Sequence, residues 1–347
     1  MVEELTSSGP ALEAVRLDRG LVQATLAKES GLSQAALSKA EADQVPLAGE
    51  RLLQVARVLR CAPELLAHRA GPSLAPTACV FHRKRANTTV GQAKQARARL
   101  TLARVHAEAL LDLVATAPST LPREAPTPDE YVTPEEIATS VRRTLTQGAG
   151  PITDLVGGLE SAGAVVMAVE LGGPRLDALS DWVPGRRPVL LINRSAPGDR
   201  QRFTLAHETG HAVMHDTPGP DAEDQADRFA AELLMPAADI RAALSQPTLE
   251  SLLQLKAQWR VSAAALLRRA YTLSSISDYT YRRLNTEMSA AGWRSSEPAA
   301  FPAEQPRALA HALHQARQRF DDHEIARHTL LLPEQLEPTF GDPAVHD

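Results

Sequence analysis

The chain has 347 residues, of which 44% are hydrophobic, 23% charged and only 4% aromatic. These are the proportions of a globular protein, so they exclude a long disordered chain and a collagen-like fibre. The net charge of −5 excludes a uniformly basic coat for nucleic acid but still permits a local basic patch.

Cysteine content and apolar segments bear on the compartment. Cys61 and Cys79 are too few for a disulfide framework. No stretch approaches the ~18 consecutive apolar residues that a membrane helix needs, and residues 1–10 lack the apolar core of a signal peptide. We therefore expect a cytoplasmic protein with no membrane partner.

Composition divides the chain into six segments. They are a disordered tail (1–9), a compact helical block (10–70), a basic helical connector (71–117), a Pro-rich linker (118–134), a larger domain (135–297) and a helical C-terminal region (298–347). The linker contains five prolines, which remove amide donors and favour an extended chain.

The N-terminal block has the pattern of five short helices. Gly31 suits a tight turn between the second and third helix because glycine adopts positive φ without strain. Ser33 is suited to cap the third helix. Side chains at the start and outer face of that helix can reach base edges and phosphates in a DNA major groove. The candidate DNA contacts are Gln23, Ser33, Gln34, Ser38 and Lys39.

The stretch LDRGLVQATLAKESGLSQAALSKAE resembles the helix-turn-helix of the XRE, or phage-repressor-like, regulators. This resemblance implies DNA binding, and a homodimer would match two-fold DNA sites. The block is nearly neutral, with eight Lys/Arg against seven Asp/Glu. Weak binding, or binding to protein in place of DNA, therefore stays open as an alternative.

A basic segment follows. Residues 81–106 contain seven Lys/Arg and no acid. This run is either a surface that contacts phosphates or a solvated helix face. Arg83, Lys84 and Arg85 are added as candidate contacts to operator or single-stranded DNA.

After the linker the pattern alternates between helices and short apolar runs. Helices are predicted over 134–147 and 152–161, and buried strands over 164–169 and 188–193, with a loop between the strands. Two more helices are predicted over 200–215 and 222–235, and helical patterns return from residue 248. The fold class is therefore mainly α with a small β-sheet (α+β).

The first of these later helices carries the sequence His207-Glu208-Thr209-Gly210-His211. Positions four apart share a helix face, so His207 and His211 can bind one metal ion, with Glu208 beside them as a general base. The next helix offers several carboxylates as a third ligand. Helical phase puts Glu223 and Asp227 on its apolar face, which favours Glu223 as ligand and Asp227 as the partner of a ligand histidine.

Two alternatives stay open at this point. The acids are also typical of a helix N-terminus, where the helix dipole favours negative charge. His215, four residues after His211, is either an auxiliary ligand, a donor to the transition state, or a histidine at the rim of the site.

The stretch RFTLAHETGHAVMH, followed by EDQADRFAAELLMP, resembles the ImmA/IrrE family of zinc metallopeptidases, which have a zincin-like fold. The resemblance implies Zn²⁺ held by His207, His211 and Glu223, with Glu208 as catalytic base; Mn²⁺ would also suit these ligands. Gln225 and Asp227 depart from the acidic and Asn residues that members often have there.

These features together predict an XRE regulator fused to an ImmA/IrrE peptidase. The resemblance implies cleavage of a repressor protein in a stress or DNA-damage response. Two alternatives remain. The chain either cleaves itself in the linker, or is a transcriptional regulator whose metal-binding domain acts only as a sensor or scaffold.

Overall fold

A computed structural model describes residues 5–69, 89–126, 132–146, 148–171, 176–216 and 219–341. Within these ranges the predicted fold class is confirmed: the protein is mostly helical, with one small sheet. Arg83, Lys84, Arg85 and Cys79 lie outside the described residues.

The N-terminal block has the five predicted helices. They are α1 (Gly9–Asp18), α2 (Gln23–Glu29), α3 (Gln34–Glu41), α4 (Gly49–Leu59) and α5 (Pro63–Ala67). Gly31 has a φ of +69° in the turn between α2 and α3, and the Ser33 hydroxyl accepts the amide hydrogen bond of Ala36. Leu26 and Leu37 are fully buried and join the two helices in one core.

The described part of the predicted disordered tail is ordered, so that prediction is wrong for residues 5–9. Thr6 forms a β-bridge with Ala48, and the Ser7 amide donates to the Leu47 carbonyl. Ser7 is 1% exposed and its hydroxyl accepts from the Leu47 amide. The segment is held by backbone pairing with a distant loop, which its polar composition does not reveal.

The rest of the chain forms one long helix, a three-stranded sheet and further helices. The elements are α6 (Val90–Leu113), α7 (Pro134–Leu145), α8 (Leu155–Ser161), β1 (Val165–Val169), β2 (Ala178–Asp181), β3 (Val189–Asn193), α9 (Gly198–Met214), α10 (Ala222–Leu234), α11 (Ala237–Ile240), α12 (Leu249–Trp259), α13 (Ala263–Thr272), α14 (Asp278–Ala290), α15 (Ala308–Arg317), α16 (Asp322–Thr329), a 3-10 turn (Pro333–Gln335) and α17 (Leu336–Phe340).

Strand β2 lies where the sequence predicts a loop. The sheet order is β1-β3-β2, with β1 parallel and β2 antiparallel to the central β3. All four residues of β2 are buried, including Ser180 and Asp181. A strand of four residues that ends in two polar ones has too little apolar alternation to be predicted, and only pairing with β3 defines it.

Both faces of the sheet are covered. Along β3, Leu190 and Ile192 join the core formed with helices α7 to α14, whereas Val189 and Leu191 join a second core on the opposite face. Burial on both faces explains why β1 and β3 are continuous apolar runs.

Helix α6 and the C-terminal helices α15 to α17 build that second core. Helix α6 also packs on the N-terminal block, because Leu102 and Val105 belong to its core. The limits of the predicted segments 71–117 and 298–347 stay predictions, but the helices within them share a core with the sheet.

Two arginines of the predicted basic segment hold these parts together. Arg99 Nε lies 2.8 Å from Asp18 Oδ1 in α1. Arg104 is fully buried and donates to the Asp181 side chain and carbonyl in β2 and to Glu108. These two arginines therefore serve contacts within the chain.

The predicted linker has no helix or strand between Pro118 and Pro126. It lies against the larger domain, since the Thr120 amide donates to the Ala162 carbonyl and the Glu124 amide to the Val213 carbonyl. Leu121 is buried in the core of that domain. This part of the linker is extended but packed.

Candidate metal centre

Helices α9 and α10 cross at a glycine. A Cβ built on Gly210 would lie 2.9 Å from Cδ1 of Phe229, so the absent side chain lets α10 approach α9 closely. Phe229 is fully buried at this crossing. The contact brings the N-terminal turns of α10, and with them Glu223 and Asp227, over the histidines of α9.

Three predicted ligands meet above this crossing. His207 Nε2 and His211 Nε2 lie 3.0 Å apart, and the Glu223 carboxylate oxygens lie 3.6 Å and 3.5 Å from them. Ligand atoms at about 2.0–2.1 Å from a tetrahedral zinc ion are about 3.3 Å apart. The two imidazoles and one carboxylate therefore fit a His₂Glu site for a divalent metal such as zinc.

Each ligand histidine uses its other ring nitrogen within the protein. His207 Nδ1 lies 2.8 Å from Asp227 Oδ1, and His211 Nδ1 lies 3.1 Å from His215 Nδ1. His215 in turn contacts Gln225 Oε1 at 2.8 Å. Asp227 and His215 therefore hold the two imidazole rings, and Gln225 completes this chain of contacts.

The candidate base, Glu208, is fully buried next to the ligands. Ser180 of β2 donates its hydroxyl hydrogen bond to Glu208 Oε2 over 2.6 Å. Sequence reasoning missed Ser180, because the residues around it carry no motif and β2 itself was not predicted.

The local charges suit a metal. Burial alone would lower the pKa of His207, but its hydrogen bonds with Asp227 and Glu223 outweigh burial and raise that pKa to about 9. Hydrogen bonds from His207 and His211 hold the pKa of Glu223 well below its usual range. The carboxylates of Glu223 and Asp227 therefore stabilise positive charge next to them, whether it is a proton on His207 or a bound divalent cation.

The candidate DNA contacts divide into two groups. Ser33, Gln34, Ser38 and Lys39 are exposed together at the start and on the outer face of α3. Gln23 differs, since its amide donates to Glu41, which also pairs with the buried Arg16. The four α3 side chains are therefore accessible, whereas Gln23 contacts Glu41 within the block.

The fold and the candidate site define a class of protein: a helix-turn-helix domain joined to a domain in which two histidines and one carboxylate could hold a metal ion. Comparison with protein families agrees. Residues 12–66 match the helix-turn-helix family model, and residues 159–271 match the peptidase M78 model, described as the IrrE N-terminal-like domain. Both models match within this one chain, in the order predicted for an XRE-type helix-turn-helix fused to an IrrE/ImmA-like domain.

Comparison with curated proteins and with solved structures gives no match. Within the described ranges, no helix combines the length and the apolar character needed to cross a membrane.

Proposed function

We propose that this protein is a DNA-binding regulator whose metal-loaded domain hydrolyses a peptide bond in a repressor protein. The observation that carries the proposal is the convergence of His207, His211 and Glu223 beside the buried carboxylate of Glu208. A site that only scaffolds a metal needs the three ligands but has no use for a base next to them.

When bound, zinc polarises the scissile carbonyl and makes water a stronger nucleophile. Glu208 accepts the proton of the attacking water at its carboxylate as the new C–O bond forms. It then gives that proton to the amine nitrogen as the C–N bond breaks. Ser180 keeps the Glu208 carboxylate in place, and Asp227 holds the His207 ring with Nε2 towards the metal.

The N-terminal block supplies the DNA partner. The exposed side chains of α3 can pair with base edges, as Gln34 can with adenine, and Lys39 can hold a phosphate. A peptidase that binds DNA is carried to the place where repressors act. This supports a repressor as substrate, and the family resemblance supports stress or DNA damage as the setting.

A comparison of wild type with Glu208→Gln tests the enzymatic half. Glutamine keeps the shape of the side chain but cannot accept the proton. Each protein is loaded with zinc and incubated with cell extract, and new peptide N-termini are mapped. We expect one metal ion per chain in both proteins, and new termini only with wild type. If both proteins bind zinc and no chain is cut, the regulator is non-cleaving; cuts confined to residues 118–134 would make the protein its own substrate.

Selection from random duplexes with the full chain tests the DNA half. We expect Gln34→Ala with Lys39→Ala to lose DNA retention and keep the zinc content of wild type. Arg319→Ala is the matched control, because Arg319 is exposed on the C-terminal region, far along the chain from α3. Retention by the α3 variant equal to that of wild type would contradict DNA binding through α3.

A further inference from the structure

A cleft of about 1,140 Å³ opens beside the metal centre. Its walls come from the first turns of α9, the outer face of α10, helix α13 and residues 293–301. None of His207, Glu208, His211 and Glu223 lines it, whereas Asp227, which holds the Nδ1 side of His207, does. The cleft therefore adjoins the metal centre on the side of Asp227 and does not contain the three ligands or Glu208.

We propose that this cleft binds one small amphipathic anion, with a flat apolar body and a carboxylate or phosphate head group. Its volume is slightly above the about 300–1,000 Å³ typical of small-molecule sites, so it has room for one such molecule. This inference goes beyond the proposed function and does not depend on peptide hydrolysis.

The charges that line the cleft favour an anion. Its acidic side chains are already engaged: Glu135 with Arg228, Glu232 with Arg269, and both Asp199 and Glu297 with Lys256. Asp224 and Asp227 lie near Arg228 and His207.

Arg268 and Arg294 are exposed in the cleft, and no carboxylate of the described residues forms an ion pair with either. These two guanidinium groups can therefore bind an outside anion, for which their planar forks are suited.

A buried hydroxyl points to a ligand independently of these charges. Thr204 lines the cleft and is 1% exposed, yet its Oγ1 has no hydrogen-bond partner among the described residues. A helical threonine commonly donates to the carbonyl four residues earlier. Thr209 of the same helix does so, to Leu205 at 2.7 Å. An orphaned buried hydroxyl is costly, and because this one is closed to solvent, a ligand in the cleft gives Thr204 its partner only when the side chain turns towards the cleft.

The remaining wall is apolar. Phe203, Trp293 and Phe301 are partly buried side chains of the lining, and Met235 is buried behind them. Aromatic faces of this kind stack on a flat apolar body. The cleft therefore combines an apolar wall with two guanidinium groups that lack a carboxylate partner.

The fluorescent aromatic anion 8-anilinonaphthalene-1-sulfonate has this chemistry and serves as probe for the zinc-loaded full chain. We expect one saturable site per chain. Arg268→Gln with Arg294→Gln should weaken binding about tenfold or more, as expected from loss of charged hydrogen bonds. Arg319→Gln with Arg327→Gln is the matched control, with the same change of charge on exposed residues outside the cleft. It should bind within about twofold of wild type.

Displacement of the probe by 1-naphthoate and by 1-naphthyl phosphate then distinguishes a carboxylate from a phosphate as the preferred head group. The proposal is overturned if no single saturable site exists, if the cleft variant binds like wild type, or if the two double variants weaken binding equally. The last result would mean general attraction to positive charge. None of these three outcomes depends on peptide cleavage, so a failure of this proposal is distinguishable from a failure of the proposed function.

Discussion

Ser180 and Glu208 form a buried hydrogen bond between a strand and a helix, from Oγ to Oε2 over 2.6 Å. Both side chains are fully buried. Because Glu208 is charged when it acts as a base, a donor fixed in the sheet both stabilises and orients its carboxylate. Strand β2 therefore supports the chemistry proposed for α9, although it carries no metal ligand.

Ser180→Ala removes this donor. A hydrogen bond to a charged group contributes about 1.5–3 kcal/mol, so we expect kcat for peptide hydrolysis to fall at least about tenfold. KM and zinc content should stay near wild-type values. Ser195→Ala is the control, since the Ser195 hydroxyl bonds Asn193 away from the site. An unchanged kcat in a zinc-loaded Ser180→Ala protein would contradict a positioning role.

Asp227→Ala should weaken zinc binding about 10–100-fold, because the partner that orients a ligand histidine is lost. Asp224→Ala is the matched control: the same substitution on the same helix, at a side chain that is 76% exposed. Competition with a chelator measures both affinities. Equal affinities of the two variants would show that the contact of Asp227 with His207 does not matter for the metal.

Gly210→Ala should destabilise the protein, although alanine is the better helix former. The new Cβ would lie 2.9 Å from the ring of the buried Phe229, and overpacking of this kind costs about 1–3 kcal/mol. Urea denaturation measures the loss, and the smaller side chain of Phe229→Leu in the same protein should restore part of it. A variant as stable as wild type would show that the helices separate without cost.

Arg104→Met should lower the free energy of unfolding by about 3–5 kcal/mol, because Asp181 and Glu108 lose the partner of a buried ion pair. Arg57→Met is the control, because the exposed ion pair that Arg57 forms with Glu50 contributes about 0–1 kcal/mol to stability. The two urea midpoints compare the variants. Similar losses would mean that Arg104 does not anchor β2 to α6.

Because His106 is buried, we expect the protein to lose stability in mild acid. Burial lowers its pKa from 6.5 to about 4, although the hydrogen bond with the Thr329 carbonyl and the charge of Asp18 act in the opposite direction; Arg19 and His68 lower the pKa slightly. The folded-state pKa is below the unfolded value, so the unfolded chain takes up the proton first as pH falls. This stability is present above pH 6.5 and is lost between pH 6.5 and 4.

The expected loss from pH 6.5 to pH 5 is about 2 kcal/mol. His106→Asn keeps a donor for the Thr329 carbonyl but does not titrate, so its urea midpoint should fall less over the same range. Parallel pH profiles of the two proteins would contradict the assignment, since all other groups are shared.

Much of the N-terminal block and the approach of the two histidines in the candidate metal centre could be predicted because the signals are local. The turn at Gly31, the cap at Ser33 and the shared face of His207 and His211 each depend on residues within one or two helical turns. Helical phase predicted Glu223 and Asp227 on the apolar face of α10; they do contact the histidines, but their side chains are 62% and 51% exposed and lie beside that face. The sequence did not predict that Thr6 to Gly9 adopt a defined conformation, because their hydrogen-bond partners lie some forty residues away.

The sequence by itself thus determined the helices, the turn chemistry and the spacing of the ligands, since short-range geometry decides all three. Only the tertiary structure decided that Ser180 contacts Glu208, that the buried Arg104 connects β2 with α6, and that a cleft lies beside Asp227. These features join residues far apart in the chain. Packing of the sheet between two cores selects their partners, and a local pattern of residues does not predict that packing.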